Sequence, residues 1–220
     1  MPPLLFPKKC VFCEESMLPD TVLEICQKCA GELPFHKSDY LMESGSGTAG
    51  RHCDRVVCAL EYTGLVKAAV MRYKFFNRPE YAQVFAALLC GKILRVEPET
   101  RFDAVVCVPL AKSRERERGY NQAELIAEAV AKYFKVPFIS GALVKNPAAM
   151  RQSSLQKNER YTNIRNAFAV HAGKERVLRG VSLLLIDDVA TTLSTINTCA
   201  GTLKENGAGS VVGGVVASPP

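Results

Sequence analysis

The sequence contains no apolar run that approaches the roughly 20 residues of a membrane-spanning helix. Its start, MPPLLFPKKC, holds only a short apolar segment, and the basic residues follow that segment, whereas a signal peptide needs them in front. The chain also lacks the composition of a disordered protein, since 48% of its residues are hydrophobic and 23% are charged. We therefore expect a globular, cytoplasmic protein with no membrane insertion.

Disulfide bonds are rare in the cytoplasm, so the nine cysteines of this chain indicate metal ligands or reduced thiols. Four of them form two C-x₂-C pairs with twelve residues between the pairs: Cys10, Cys13, Cys26 and Cys29. Two such pairs place four thiolates around one zinc ion, and a full shell of thiolates suits a structural role. We predict a structural zinc that supplies folding energy to a small module, with free thiols or disulfides as the alternatives.

The remaining cysteines give a weaker signal. Cys53 and Cys58 are more widely spaced, and with His36 and His52 they form a candidate second metal site. The alternative is that these residues are core cysteines and surface histidines. Three further cysteines lie in apolar stretches and are expected in the core: Cys90, Cys107 and Cys199.

A length of 220 residues suits one domain with a small module attached. We expect residues 1–50 to form the zinc-binding module and a flexible connector, and residues 51–220 to form the second domain. All of the net charge of +6 lies in residues 101–220, and it is concentrated between residues 112 and 165. Such a basic region suits a polyanionic ligand, although a solvated face is the alternative.

Residues 181–195, VSLLLIDDVATTLST, carry the main functional pattern of the chain. Val181–Ile186 is an almost unbroken apolar run, which predicts a strand buried on both faces of a parallel sheet. The run ends on Asp187 and Asp188. A loop of small and hydroxylated residues follows, before a predicted helix at Ile196–Glu205. This order of elements is typical of a ligand site at the carboxyl end of a strand in an open α/β sheet.

The residue types in this loop suit a sugar phosphate. Unpaired backbone N–H groups at a helix start carry positive partial charge and bind phosphate, and hydroxyl side chains add donors. Because Asp187 and Asp188 would repel a phosphate, we expect their carboxylates to accept hydrogen bonds from two sugar hydroxyls. The alternative is an acidic strand end that merely caps the next helix. The predicted phosphate-binding residues are Ala190, Thr191, Thr192, Leu193, Ser194 and Thr195.

The stretch 181–195 resembles the signature of type I phosphoribosyltransferases, which bind phosphoribosyl pyrophosphate (PRPP). The resemblance implies an open, mostly parallel α/β sheet of that type. It also implies a catalytic and ribose-binding role for Asp187 and Asp188, with magnesium bound to PRPP. One position departs from the family, because Leu193 stands where glycine is usual. Leucine adopts positive φ only at a cost, and its side chain takes up space near the phosphate.

A second strand, loop and helix precede this stretch. Phe102–Val108 predicts a strand, residues 110–122 a loop, and Ala123–Phe134 a helix. In phosphoribosyltransferases the corresponding loop holds the pyrophosphate, and a mobile loop in the place of residues 146–166 closes over the sugar. An ordinary exposed loop is the alternative for that segment. The resemblance implies pyrophosphate contacts from Lys112, Ser113, Arg114, Arg118, Asn121 and Arg151.

Other periodic segments complete the predicted α/β pattern. We predict helices at Gly64–Phe76 and Glu80–Leu94, strands at Val56–Leu60, Val136–Ile139, Ala142–Val144 and Ser210–Val216, and a surface turn at 172–180. Near the end of the first of these helices, three basic residues either reach the substrate or interact with solvent and the helix dipole: Arg72, Lys74 and Arg78.

The tract at residues 118–122, RGYNQ, extends the resemblance to a narrower family. With the four-cysteine start and the acidic-pair loop, it resembles the competence protein F (ComF) family, whose members combine a zinc ribbon with a phosphoribosyltransferase-like domain. The likeness continues at Gln152–Leu155 and Arg160–Phe168. It implies binding of PRPP or a nucleotide, binding of single-stranded DNA, a DNA-translocating competence partner, and a role in DNA uptake.

Two other functions fit the same residues. An active transferase would move ribose-5-phosphate from PRPP to an acceptor that the sequence does not identify. A regulatory domain would sense PRPP or a nucleotide without performing chemistry.

Overall fold

The computed structural model describes residues 7–18, 21–43, 50, 52–146 and 167–220. The strands in chain order are β1 Met42–Glu43, β2 Arg55–Glu61, β3 Ala104–Cys107, β4 Leu143–Lys145, β5 Phe168–Val170, β6 Ser182–Val189 and β7 Ser210–Ser218. The helices are α1 Gln27–Glu32, α2 Gly64–Phe75, α3 Tyr81–Val96, α4 Lys112–Arg118, α5 Gln122–Phe134, α6 Glu175–Leu178 and α7 Ser194–Glu205. In the described ranges no helix is both long and apolar enough to cross a membrane.

Five strands form the main sheet in the order β1-β2-β7-β6-β3. Only the edge strand β1 is antiparallel to its neighbour, so β2, β7, β6 and β3 have their carboxyl ends at the same edge. Strands β4 and β5 pair antiparallel in a separate two-stranded sheet. The expected open, mostly parallel α/β sheet, preceded by a four-cysteine cluster, is confirmed.

Strand β6 is buried on both faces because its side chains alternate between two hydrophobic cores. Leu184 and Ile186 face the core beneath α2, α3 and α5, and Leu183 and Leu185 face the core beneath α7. All four are completely buried. Each buried aliphatic side chain contributes about 1.5–3 kcal/mol, so the carboxyl end of β6 is a fixed point for the side chains that follow.

Helix α7 lies close to the sheet because a glycine of β7 faces it. A Cβ atom at Gly213 would stand 2.7 Å from Cδ1 of Ile196 and 3.1 Å from Cγ2 of Val56, so a side chain here would force Ile196 to shift. This close approach fixes the first turn of α7 beside the end of β6.

The cysteine segment packs on the same core as α2 and α3. Cys10, Val11 and Phe12 are buried, and the Phe12 ring meets the Phe85 ring edge-on at 6.4 Å between centroids. Arg72 of α2 donates from Nη2 to the backbone oxygens of Val11 at 2.8 Å and of Phe12 at 2.7 Å. The predicted metal-binding segment is therefore attached directly to α2.

The predicted loop at residues 110–122 is wrong in part, because it contains helix α4. Unbranched lysine, arginine and glutamate side chains favour a helix. Gly119 ends it with φ of 83° and donates its N–H to the Glu115 oxygen at 2.8 Å. A glycine in the left-handed conformation is a common helix stop, so this signal was present in the sequence.

Other boundaries also differ from prediction. Strand β6 continues through both aspartates, so the acidic pair belongs to the strand. Residues 136–139 form a single bridge between Phe138 and Val105 in place of a strand, since Pro137 has no N–H to donate. The turn predicted at 172–180 contains α6, whose Leu178 is buried. Helix α1 and strand β1 were not predicted.

Several predictions fall on residues outside the described ranges. These are residues 44–49 of the connector, Arg151, residues 147–166 of the proposed closing loop with its Gln152–Leu155 motif, and most of Arg160–Phe168.

Replacing Arg72 by methionine removes two hydrogen bonds to the cysteine segment and keeps most of the side chain's apolar length. Two buried carbonyl groups then lose their donor, so the free energy of unfolding should fall by about 1–3 kcal/mol. Thermal unfolding measures this loss, and amide exchange at residues 9–29 should accelerate. The matched control is Arg95→Met, because Arg95 is 63% exposed and pairs with the similarly exposed Asp39. Equal destabilisation by both substitutions would contradict the anchoring role.

Candidate functional site

The acidic pair, Asp187 and Asp188, lies at the carboxyl end of β6. The N–H of Asp188 donates to Oδ1 of Asp187 at 2.8 Å, and the N–H of Val189 donates to Oδ1 of Asp188 at 2.6 Å. Because successive strand residues point to opposite faces, Asp188 lies on the α2 side of the sheet and Asp187 on the α7 side. The two carboxylates therefore flank the end of one strand, where a ligand could contact both.

Lys74 of α2 neutralises Asp188. Its Nζ lies 2.9 Å from Oδ2 of Asp188, and the two side chains are only 18% and 14% exposed. A well-buried ion pair of this kind fixes both partners, because either charge alone would be costly to bury. The suggestion that Lys74 reaches the site is thus supported by its position.

Asp187 has no comparable partner at ion-pair distance among the described residues. Burial and the adjacent charge of Asp188 raise the pKa of Asp187 from 3.8 to about 7. A backbone hydrogen bond from Asp188 and the charges of Lys74 and Lys145 act in the opposite direction and do not cancel the rise. A carboxyl group whose pKa is raised toward neutral pH in this way is a common mark of a functional site.

The predicted phosphate loop connects the acidic pair to α7. Ala190 is buried and donates its N–H to the Ala217 oxygen at 3.1 Å. Leu193 has φ of −76°, so leucine needs no left-handed conformation here, and its side chain packs against the core beneath α7. The expected cost of leucine in place of glycine is therefore absent from the backbone. Thr191, Thr192 and Ser194 are exposed, and Thr195 is partly buried.

The first N–H groups of α7 are left available for a ligand. The helix begins after Leu193, whose side chain cannot cap it, and no side-chain cap bond is formed. The Thr192 and Ser194 hydroxyls lie 2.8 Å apart and bond to each other. The alternative function of the acidic pair, capping the next helix, is therefore wrong, because both carboxylates bond to their own strand.

A cleft of about 490 Å³ lies at the end of β3, the strand that neighbours β6 in the sheet. It lies between α4, the start of α5, and strand β4. Three of the predicted pyrophosphate residues line it: Lys112, Ser113 and Asn121. Arg114 is exposed on the same short helix.

Lys145, at the end of β4, is a candidate residue that the sequence analysis missed. It is partly buried on the wall of this cleft. Burial and the positive charge of Arg114 lower its pKa, while Asp187 acts to raise it. No carboxylate in the described part of the chain forms a salt bridge with Lys145. The sequence feature that could have identified Lys145 is the one that identified the aspartates, namely a charged residue at the end of a strand.

The RGYNQ tract joins α4 to α5 and to the end of α2. Arg118 donates to Oε1 of Gln122 at 2.9 Å and lies 5.0 Å from the centre of the Phe75 ring. Asn121 is buried and caps α5 by accepting from the Ala123 N–H at 3.1 Å. The Tyr120 hydroxyl donates to the Tyr73 backbone oxygen. Arg118 and Asn121 thus have positioning contacts in this structure, and Asn121 also borders the cleft.

The four predicted metal ligands come together. The sulfur atoms of Cys10, Cys13, Cys26 and Cys29 all lie within 4.8 Å of one another, with 3.6 Å between those of Cys13 and Cys26. Four thiol donors at this spacing fit one tetrahedral metal ion.

The backbone also donates hydrogen bonds to two of the sulfurs. The Cys26 N–H donates to the Cys10 sulfur at 3.3 Å, and the Cys29 N–H donates to the Cys26 sulfur at 3.4 Å. Burial alone raises the pKa of Cys10, but hydrogen bonds from the backbone of Cys13, Cys26 and Phe12 outweigh it and bring the pKa down to about 7. The residues present therefore fit a structural metal.

The other cysteines belong to the core. Cys53 and Cys58 are completely buried beneath α7, and burial raises the pKa of each to about 12. Within the described residues, only the first four cysteines form a cluster of metal-ligand type. His36, expected at the surface, is buried, and its backbone oxygen accepts from Lys92 at 3.1 Å.

Solved structures with similarity to this chain include a glutamine PRPP amidotransferase from B. subtilis in complex with ADP and GMP. It aligns with 66% of this chain and 30% of its own, at 18% identity and a TM-score of 0.42. An allosteric regulatory enzyme of purine biosynthesis aligns with the same shares, at 20% identity and a TM-score of 0.39.

Sequence comparison finds relatives of similar length. The DNA utilization protein YhgH of Salmonella typhi is 32% identical over 160 residues, which make up 71% of this chain and 69% of the relative. Competence protein F of Haemophilus influenzae is 28% identical over 189 residues, 83% of this chain and 79% of that protein.

Competence protein ComFC of Bacillus subtilis is 32% identical over 146 residues, 66% of this chain and 56% of the relative. No family model matches the chain. The similarity to the YhgH proteins nevertheless extends over more than two thirds of both proteins. The chain therefore belongs to the family of the YhgH DNA utilization proteins, competence protein F and ComFC.

Proposed function

We propose that this chain binds PRPP with Mg²⁺ at the carboxyl ends of β3 and β6. The proposal rests on three features at one sheet edge: a pair of carboxylates, an uncapped helix start, and a cleft whose lining includes Lys112 and Lys145 beside Glu115 and Glu124. Each feature suits a different part of a phosphorylated sugar, and the sheet edge is the usual place for such a ligand.

The ribose would lie across the end of β6. Asp187 and Asp188 flank that end, so each would accept a hydrogen bond from one hydroxyl of the sugar diol. Lys74 pairs with Asp188 and fixes its position. The ligand would stabilise Asp187 more than Asp188, because Asp188 already pairs with Lys74. A hydroxyl donor would favour the charged form of Asp187 and offset the repulsion from Asp188.

The 5-phosphate would lie at the start of α7. Helix α7 has twelve residues and no side-chain cap, and the dipole and free N–H groups at its start favour an anion. Hydroxyl donors would come from Thr191, Thr192, Ser194 and Thr195. Leu193 would contribute its N–H only, because its side chain packs in the core.

The pyrophosphate would occupy the cleft at the end of β3. We assign Lys112, Ser113, Arg114 and the newly identified Lys145 to it, since Lys145 is a partly buried cation with a depressed pKa that an anion would stabilise. Arg118 and Asn121 would shape this wall, and a contact from Arg151 stays a prediction. Magnesium would arrive bound to PRPP and be held largely by phosphate and water.

The second candidate is transfer of the phosphoribosyl group to an acceptor, and one observation favours it. The pKa of Asp187 near 7 suits a proton acceptor at neutral pH. An acceptor N–H or O–H would attack C1 of the ribose, the bond from C1 to pyrophosphate would break, and the acceptor's proton would pass to Asp187. Lys112, Arg114 and Lys145 would stabilise the departing pyrophosphate.

We also propose zinc as the metal of the four-cysteine site and residues 1–50 as a zinc ribbon module attached to a phosphoribosyltransferase-like domain at 51–220. Family membership supports a part in DNA uptake, in the cytoplasm, through single-stranded DNA and a DNA-translocating competence partner. The basic α4 beside the cleft would contribute phosphate contacts to such a strand.

Substituting Asp187 or Asp188 by asparagine should abolish PRPP–Mg binding, because each variant exchanges an acceptor-only carboxylate for an amide beside the diol. Isothermal titration calorimetry on the metal-loaded protein measures this loss. Asp39→Asn is the matched control, since Asp39 is 61% exposed and remote from the sheet edge. Binding retained in both site variants would refute the assignment.

Stability measurements distinguish a variant that has lost only the binding site from one that has lost its fold. Because its pKa is raised, Asp187 stabilises the fold least when ionised, and stability should fall as pH rises from 3.8 to about 7. Asp187→Asn should therefore be more stable than wild type at pH 8, by roughly 2 kcal/mol or about 4–8 °C. Asp188→Asn strands Lys74 and should be destabilised.

Lys145→Gln should weaken binding of inorganic pyrophosphate with Mg²⁺ by about tenfold, because it removes a cation from the cleft wall at similar length. The control is Lys132→Gln, an equal charge change at an exposed residue of α5 that pairs with Glu128. Competition calorimetry against PRPP reports both affinities. If Lys132→Gln has the same effect as Lys145→Gln, only net charge matters and the assignment of Lys145 fails.

Elemental mass spectrometry should find one zinc ion per chain, because the four sulfurs form one cluster. Cys26→Ala and Cys29→Ala should lose the metal and become susceptible to proteolysis near residues 9–29. Cys90→Ala, at a buried cysteine of the core, should keep it. Full zinc content after substitution of Cys29 would contradict a four-thiolate site.

A further inference from the structure

Two adjacent aromatic rings are exposed at the end of α2. Phe75 is 51% and Phe76 67% exposed, and Met71, one turn earlier, is 41% exposed. Single exposed apolar side chains are ordinary, but three large ones within six residues are more than an ordinary surface carries and indicate an interaction surface. We call Met71, Phe75 and Phe76 the α2 aromatic rim.

The rim is fixed beside the proposed PRPP site. Lys74, between the buried Tyr73 and the exposed Phe75, forms the ion pair with Asp188. The Tyr73 hydroxyl donates to the Gln122 backbone oxygen at 2.8 Å, which ties the same helix end to the start of α5. The helix end that carries the exposed rings is therefore anchored at two residues, which suits a surface that binds flat groups.

Two arginines lie close to the rings. The Arg118 guanidinium lies 5.0 Å from the centre of the Phe75 ring. Arg78 follows the rim after a turn at Asn77, with φ of 50°, and its N–H is held by the Tyr120 hydroxyl at 3.2 Å. The Arg78 side chain is 43% exposed and shared between Glu14 at 4.0 Å and Glu80 at 3.6 Å.

Helix α4 continues this basic surface toward the cleft. Arg118 is at its end beside Phe75, and Arg114, one turn earlier, lowers the pKa of Lys145 on the cleft wall. Arg116 is also exposed. An extended anion that contacts the rings would thus meet basic residues on the path to the proposed pyrophosphate cleft.

We propose that the α2 aromatic rim is a base-stacking surface for single-stranded nucleic acid, with Arg78, Arg116 and Arg118 contacting the backbone phosphates. The proposal rests on the nucleic-acid part of the proposed function and not on PRPP binding. Exposed rings with basic neighbours are the usual combination in sequence-tolerant single-strand binding. Every base has a face that can stack on a ring, and every phosphate carries a charge that a basic residue can contact. A protein partner would not require a guanidinium group against an exposed ring.

The chain contains no tryptophan, so one introduced at the rim is a specific probe. Phe76→Trp should bind a dT₂₀ oligonucleotide as tightly as wild type, and its fluorescence should be strongly quenched as a base stacks on the indole. Tyr133→Trp is the control, since Tyr133 is a similarly exposed ring, at 52%, near the end of α5. Its fluorescence should not change.

Fluorescence anisotropy of labelled dT₂₀ gives the energetic test. The Phe75→Ala/Phe76→Ala double variant should bind about tenfold or more weakly, since one stacked base is worth a factor of that order. Arg116→Gln should flatten the salt dependence, because one phosphate contact is lost. PRPP calorimetry on the same double variant should match wild type.

The outcomes separate this inference from the proposed function. If wild type binds dT₂₀ and the double variant binds equally well, the rim proposal is overturned and strand binding elsewhere survives. Quenching of Phe76→Trp by mononucleotide dTMP but not by dT₂₀ would also overturn it. If wild type fails to bind dT₂₀ at low salt, both the rim and the nucleic-acid part of the function fall, whereas PRPP binding is judged by its own titration.

Discussion

Burial of two adjacent carboxylates at the end of a buried strand is the constraint on which the candidate site depends. Alternation along β6 directs Asp188 to the α2 face and Asp187 to the α7 face. Lys74 forms an ion pair with Asp188. The charge of Lys145, which forms no ion pair with Asp187, offsets the rise in the Asp187 pKa only in part, so that pKa stays near 7. An arrangement with uncompensated charge is costly to stability and typical of a site that a ligand completes.

Helix α2 links this pair to the rest of the chain through five consecutive residues. Arg72 holds the cysteine segment, Tyr73 holds the start of α5, and Lys74 holds the acidic pair. Phe75 and Phe76 then face solvent. A helix interior completes a turn every 3.6 residues, so consecutive side chains necessarily point in different directions. The cysteine segment, the proposed ligand site and the aromatic rim therefore all contact α2, and a change in any of them can affect the others.

The sequence was sufficient for the features that depend on local pattern. Continuous apolar runs gave the central strands, C-x₂-C spacing gave the four-cysteine cluster, and the charged end of β6 gave the acidic pair. Features that depend on contacts distant in the chain were not predictable. Lys145 acquires its role from Arg114 and Asp187, and Leu193 is accommodated because its side chain has a core to enter. Helix α4 was missed although its glycine stop was visible.

Amide hydrogen exchange of the metal-loaded protein, with and without PRPP–Mg, tests the central claim most directly. The account predicts strong protection of the N–H groups of residues 191–195, together with slower exchange at Asp188 and Val189, because these groups surround the proposed sugar phosphate. Unchanged exchange at residues 187–195 under saturating PRPP–Mg would contradict it. Protection confined to another part of the sheet edge would do the same, since the acidic pair and the start of α7 would then not form the site.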